Sequence, residues 1–124
     1  MNIVVDTHTL FWFLTADKRL STLAKETLEK AQKVFIPTVV LLELFYLVNK
    51  KASAEIFRKL HDKLKTNPKF IFVSLDMVIA EKVIETNLRI EMHDLVIIAS
   101  SQILKAPLIT RDETIQKVYK KIIW

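Results

Sequence analysis

The chain has 124 residues, enough for one domain whose folding removes roughly two-thirds of the unfolded surface from water. Hydrophobic residues at 51% and charged residues at 27% exclude disordered, collagenous and coiled-coil chains, and 19 Lys plus Arg against 14 Asp plus Glu leave a net charge of +5 that favours anionic partners. With no Cys there are no disulfides, thiolate zinc sites or cysteine nucleophiles, and with no Gly there is no Walker loop, GxGxxG turn or GxSxG elbow.

Asn2 to Val5 is a short apolar run that reads as a buried strand and ends at Asp6. Ser21 is placed to N-cap a helix whose Leu23, Ala24, Leu28 and Ala31 form one apolar stripe. Val34 to Ile36 follows as a second strand stopped by Pro37, and Thr38 begins a very apolar helix to about Val48. Ser53 caps the next helix, with Ile56, Leu60 and Leu64 on its buried face and lysines opposite. Pro68 ends that element, and Phe70 to Val73 is a third strand. Asp76 caps a helix carrying Met77, Ala80, Val83 and Ile84, and Asp94 opens another with Leu95, Ile98, Ala99 and Ile103 inward. After Pro107, Leu108 to Thr110 is a fourth strand, Asp112 starts a short helix with Ile115 and Tyr119, and Ile122 with Ile123 makes a fifth strand.

No linker, repeat or low-complexity tract interrupts this order, so residues 1–124 read as a single domain. The most apolar stretch, Phe35 to Val48, contains Pro37, Thr38 and Glu43 and is shorter than the about 20 residues a membrane span requires. The N-terminus lacks a basic leader, and a soluble cytoplasmic protein with no membrane partner is expected. Short apolar strands alternating with amphipathic helices predict an α/β fold, a central mostly parallel five-stranded sheet flanked by helices on both faces. In such sheets ligands bind outside the carboxyl ends of the strands.

That rule gives four carboxylates a possible meeting place. Asp6 follows the first strand and Asp112 the fourth, although each, like Asp94, has a structural explanation as a helix N-cap. Glu43 has none of that kind. It sits in VVLLELFYLV, where an ionised carboxylate needs a cation or proton beside it, and a salt bridge to Arg111 is one remedy. Carboxylates converging to about 5 Å repel by roughly 3 kcal/mol per pair at an effective dielectric near 20. A hard divalent cation relieves that repulsion, and Mg²⁺ or Mn²⁺ accepts such oxygen ligands.

VVDTHTLFW around Asp6, LLELFYL around Glu43, MHDLVIIASS around Asp94 and LITRDE around Asp112 together resemble the PIN-domain nucleases from end to end. The small VapC-type toxins of type II toxin–antitoxin pairs are the most similar members. The resemblance implies a PIN-like five-stranded parallel sheet and Mg²⁺-dependent endoribonuclease activity (Mn²⁺ being an alternative ion), hydrolysing RNA phosphodiester bonds with a metal-activated water. By matching position it makes Asp6, Glu43, Asp94 and Asp112 the catalytic and metal-binding acids, and Thr110 a site hydroxyl. It also implies a homodimer and a small antitoxin protein as partners. Met92, His93, Asp94 and Leu95 depart from the Pro-Phe-Asp-Arg type of sequence common in the DTH subgroup.

Other features have alternative readings. Seven basic residues between Lys50 and Lys69 form either a solvated helix face or a phosphate-contacting rim. Phe11, Trp12, Phe13, Phe45 and Tyr46 serve the core or an interface. His93 beside Asp94 resembles the metal-binding pair of HD-type phosphohydrolases, but those are all-helical. Haloacid-dehalogenase-like phosphatases and receiver domains need acidic partners that Asp6 lacks here. The competing reading from another class is a non-catalytic RNA-binding or scaffold PIN-like domain.

Overall fold

Ile3, Val4 and Val5 are fully buried, as a strand with neighbours on both edges and helices over it requires. They form β1 (Asn2–Val5), the middle strand of the sheet in a computed structural model that describes residues 1–124. The chain continues through α1 (Thr7–Leu14), α2 (Thr22–Lys30), β2 (Lys33–Pro37), α3 (Thr38–Lys51), α4 (Ala54–Thr66) and β3 (Phe70–Val73). It then forms α5 (Met77–Thr86), α6 (Met92–Leu104), β4 (Leu108–Ile109), α7 (Glu113–Val118) and β5 (Ile122–Ile123). All four strand pairings are parallel, in the order β3-β2-β1-β4-β5, and seven helices flank the sheet. The expected α/β, PIN-like architecture is therefore the one observed.

Val4 pairs with Phe35 of β2 on one side and with Leu108 of β4 on the other. The chain leaves β1 toward β2 and β3, then returns to β4 on the opposite side, so the strand order reverses between β1 and β4. The crevice at such a reversal, outside the carboxyl ends, is where α/β sheets place ligands. Asp6 immediately follows β1 there, and Thr110 to Asp112 follow β4.

Five helices begin with a side-chain cap to the backbone N–H three residues on: Asp6 to Thr9, Ser21 to Ala24, Ser53 to Ile56, Asp76 to Ile79 and Asp112 to Ile115. Each such cap contributes about 1 kcal/mol. The helices without one, α3 after Pro37 and α6 after Glu91, are those that carry Glu43 and Asp94. Asp94 accordingly does not open its helix as expected. It lies in the first turn, where the positive end of the helix favours an anion while the carboxylate stays free to face the crevice.

The core gathers Ile3, Leu10, Leu28, Ile36, Leu44, Leu64, Ile98 and Leu108 with their neighbours, and a smaller cluster of Ile79, Val96 and Ala99 joins α5 to α6. Several residues assigned to buried faces lie outside it. Leu23 is one position off the Ala24–Leu28–Ala31 stripe and is exposed; Ile56 sits in the first turn of α4, short of the Leu60–Leu64 contact. Met77 and Ile84 lie opposite Ile79 on α5, and Ile103 is in the last turn of α6, so all three face solvent. The fourth strand stops at Ile109, because Thr110 turns its hydroxyl into the crevice instead of extending the ladder. With no glycine available, Asn87 and Lys105 take the left-handed C-cap conformation, at φ 51° each.

Candidate active site

Asp6 is buried and anchored from both sides of the crevice. Its Oδ1 accepts the Thr9 backbone N–H at 3.0 Å, and its Oδ2 accepts the Thr110 hydroxyl. The same Thr110 Oγ1 accepts the backbone N–H of Asp112 at 3.0 Å, so one hydroxyl links the two acids. Asp112 in turn caps α7 through Ile115 N–H at 3.1 Å, and Gln116 Nε2 donates to the Thr110 carbonyl at 3.0 Å. Thr9 completes the frame by donating its hydroxyl to the Ile109 carbonyl at 3.0 Å. Burial raises the Asp6 carboxyl above the ordinary carboxylate range, against the lowering influence of the Thr110 and Thr9 bonds.

Glu43 and Asp94 arrive from helices. Glu43 Oε1 accepts the Thr7 hydroxyl at 2.8 Å, which answers part of its need for a partner on an apolar helix. The rest comes from His93, whose Nε2 lies 3.4 Å from Glu43, 3.1 Å from Glu91 and 3.5 Å from Asp94. Arg111 does not play that part; its guanidinium lies over the Trp12 ring instead. Asp94, with only 14% of its side chain exposed, has its carboxyl pushed up to about 6, chiefly by burial. Asp112, Glu43 and Glu91 raise it further by repulsion, and His93 opposes them.

These groups meet in one cavity of about 100 Å³, lined by Asp6, Thr7, Glu43, His93, Asp94 and Asp112 among others. All four acids singled out from the sequence are thus brought together, with Thr110 behind two of them. Three open clefts adjoin it: one of about 580 Å³ runs past His93, Asp94 and Asp112 to Arg89, and two more border His8. One, of about 690 Å³, runs past Thr7, His8 and Glu43 along α3 to Tyr46 and Lys50. The other, of about 350 Å³, runs past Asp6, His8 and Asp112 to Trp12, Arg19 and Arg111.

The oxygens of four carboxylates suit a hard divalent cation, and the repulsion that Asp112, Glu43 and Glu91 exert on Asp94 is what such a cation would offset. Glu91, His93 and Asp94 also present ligand atoms within 4.8 Å of one another. The sequence reading missed Thr7, Thr9, Glu91 and His93 as site residues. A run of three polar side chains after a strand end, Thr7 to Thr9, was the available signal for the first two. His93 was visible only as the neighbour of Asp94.

The remaining candidates divide between core and surface. Trp12 is buried, Phe11 and Phe13 pack against the core, Phe45 meets Phe57 edge-on at 5.2 Å, and Tyr46 is exposed. His61 stacks on Phe57 at 5.6 Å, a packing role. The basic residues of α4 point to solvent. No helix is long and apolar enough to cross a membrane.

Comparison with known proteins gives a family match and several structural neighbours. The sequence matches the family model described as PIN domain over residues 3–121. No curated protein matches it significantly. Among solved structures, a toxin–antitoxin complex from Klebsiella pneumoniae superposes with TM-score 0.75 at 20% identity, over 98% of this chain and 96% of that one. VapBC2 from Rickettsia felis, bound to a DNA fragment from its promoter, superposes with TM-score 0.72 at 16% identity, over 99% and 96%. VapC20 from Mycobacterium tuberculosis, a toxin that cleaves the sarcin–ricin loop, gives 0.74 at 16% identity, over 93% of each chain.

Proposed function

The chain belongs to the PIN-domain family, and from that premise we propose that residues 1–124 form a single nuclease domain, a divalent-metal-dependent endoribonuclease that acts as the toxin of a toxin–antitoxin pair. The observation that carries the enzymatic part is the convergence of Asp6, Glu43, Asp94 and Asp112 on one small cavity at the sheet's reversal point. Stability alone gives no reason to gather four carboxylates, two of them with raised pKa. Structural likeness to toxin–antitoxin proteins, one of them an RNA-cleaving toxin, supports the choice of RNA and of an antitoxin partner.

In this reading Asp6, Glu43, Asp94 and Asp112 hold Mg²⁺, with Mn²⁺ as the alternative. When bound, the cation would acidify a water and neutralise charge developing on the phosphoryl oxygens. Thr110 and the Thr9 N–H fix the Asp6 carboxylate so that its remaining lone pairs face the cavity. Asp6 or Asp112 orients the attacking water or accepts its proton. Thr7 holds Glu43 at a set rotation, and His93 keeps Glu43 and Asp94 from springing apart before the cation arrives. The cleft toward Lys50 is open and carries that lysine at its far end, which suits a polyanionic strand.

A homodimer and a cytoplasmic location complete the proposal. Exposed Met77, Val78 and Ile84 on α5 supply apolar surface for contact with a second copy. The test is RNA cleavage by the purified protein freed of any inhibitor. Mg²⁺ or Mn²⁺ should support it, and EDTA should abolish it. Intact RNA after either ion is added to folded protein overturns the reading and favours a binding module.

A further inference from the structure

The cleft that runs from Asp6 and Asp112 to Trp12 sets two arginines, Arg19 and Arg111, against one aromatic ring. The geometry points to a subsite there for one backbone phosphate of a single-stranded RNA, held by Arg111 on a shelf made by Trp12 and Arg19. The choice of ligand rests on the nuclease reading.

The cleft shares Asp6, His8 and Asp112 with the acidic cavity, so whatever binds in it lies beside the reacting group. Arg111 is placed by its neighbours in sequence, since Thr110 and Asp112 on either side are both tied into the Asp6 network. Its guanidinium carbon stands 5.8 Å from the centre of the Trp12 ring, and its side chain forms no ion pair, although Asp112 and Glu113 line the same cleft. An aromatic face engages the flat side of a guanidinium and leaves its edge N–H donors available. Those donors form a fork that matches two oxygens of a phosphate.

Arg19 lies over the same ring at 5.1 Å but is committed elsewhere. Its Nε and Nη2 donate to the two oxygens of Asp17 at 3.0 and 2.8 Å, a pairing that holds the Asp17 carboxyl at about 2. Arg19 therefore braces the shelf, and Arg111 remains the free fork. Trp12, which lines the cleft, has a buried Nε1–H with no partner. Asp6, Asp112 and Glu113 repel an anion on the other side of this cleft, so Arg111, the arginine here without an acidic partner, sets where the strand sits.

The test uses the full-length protein in EDTA, where binding is read without cleavage, and a fluorescein-labelled single-stranded oligoribonucleotide. Anisotropy titrations over a range of salt give the affinity and its salt slope. The chain's two tryptophans, Trp12 and Trp124, have ring centres 6.0 Å apart, so intrinsic emission reports this cleft directly. RNA should change that emission in the native protein and not in Arg111→Gln. The same substitution should weaken binding about tenfold at low salt and reduce the slope by about 0.7, the value for one phosphate contact on a single strand. Arg111→Lys, which keeps the charge and loses the fork, should retain the slope and bind more weakly than native. An unchanged slope in Arg111→Gln, or native emission insensitive to RNA, overturns the proposal. If inorganic phosphate changes the emission and RNA does not, the assignment to RNA falls. RNA that binds through Arg111 yet stays intact when Mg²⁺ is added sinks the nuclease reading and leaves the subsite standing.

Discussion

Asp6 and Asp112 are held at strand ends by hydrogen bonds to Thr9, Thr110 and Ile115, whereas Glu43 and Asp94 reach the same cavity from helices and meet around the imidazole of His93. The strand side needs nothing positive to keep its shape, because neutral donors hold both oxygens of Asp6 and one of Asp112. The helix side places Glu43, Asp94 and Glu91 around one imidazole nitrogen, so its cohesion depends on His93. The contrast assigns different work to a bound cation. On the strand side it would find ligands already oriented, and on the helix side it would take over the role of His93 in screening like charges.

The largest effects should come from removing one charge on each side. Asp6→Asn and Asp94→Asn are both expected to lower RNA cleavage about 1,000-fold or more, since each removes a carboxylate from the proposed cation site. Both should stay folded, because Asn still caps α1 at position 6, and Asp94 makes no cap in α6. Gel assays of cleavage with circular dichroism of each variant check this. Native-like cleavage by Asp94→Asn would separate the two sides and confine the chemistry to Asp6 and Asp112.

The same division governs what could be read from the sequence. The strand side was legible because strand ends are marked by composition: an apolar run stops at Asp6, another stops before Thr110 and Asp112, and the parallel-sheet rule puts both at one edge. The helix side was harder. Glu43 was conspicuous as a charge in an apolar helix, but its partner depends on how α3, α1 and α6 pack, and Arg111 was as reasonable a candidate as Thr7 or His93. The apolar stripes of α2, α4 and α5 were only partly legible for a related reason. Hydrophobicity marks a residue as able to enter a core, while the rotation of each helix decides whether Leu23, Ile56 or Ile84 does so. Helix starts marked by Ser or Asp caps or by Pro37 are legible, whereas the start of α6, which has neither, is displaced to Asp94.

Intermediate effects should distinguish the sides by their response to metal. Thr110→Val removes the donor to Asp6 and the acceptor for Asp112 N–H while keeping the shape of the side chain. Cleavage is expected to fall about 10- to 100-fold, as for groups that orient metal ligands. The fold should lose about 1–2 kcal/mol, with Mg²⁺ or without it. His93→Ala should instead lower the melting temperature of the metal-free protein and recover most of the loss at saturating Mg²⁺, because the ion then screens Glu43 and Asp94. Calorimetric melting temperatures of both variants, in EDTA and in about 10 mM Mg²⁺, give the comparison. An equal response of the two to Mg²⁺ would break it.

The smallest effect, and the one whose sign is most informative, concerns acidity on the helix side. Burial and negative neighbours hold the Asp94 carboxyl at about 6 in the folded chain, above its ordinary 3.8, so the folded state binds that proton more tightly than the unfolded one. The resulting stability is fully present below about pH 3.8 and is lost as the pH rises through about 6. Asp17, held at about 2 by Arg19, has the opposite sign: its contribution is present above the ordinary carboxylate range and is lost as the pH falls through about 2. Asp94→Asn removes the first dependence and leaves the second. In EDTA the variant should therefore melt a few degrees above native protein at about pH 7.5, with the gap closing toward about pH 4. Native Mg²⁺ affinity should weaken as the pH falls below about 6, because the proton and the ion compete for the same oxygen. A variant less stable than native at about pH 7.5 in EDTA would mean that His93 outweighs Glu43, Glu91 and Asp112 around Asp94. The helix side would then be as self-sufficient as the strand side, with no unbalanced charge for a cation to neutralise.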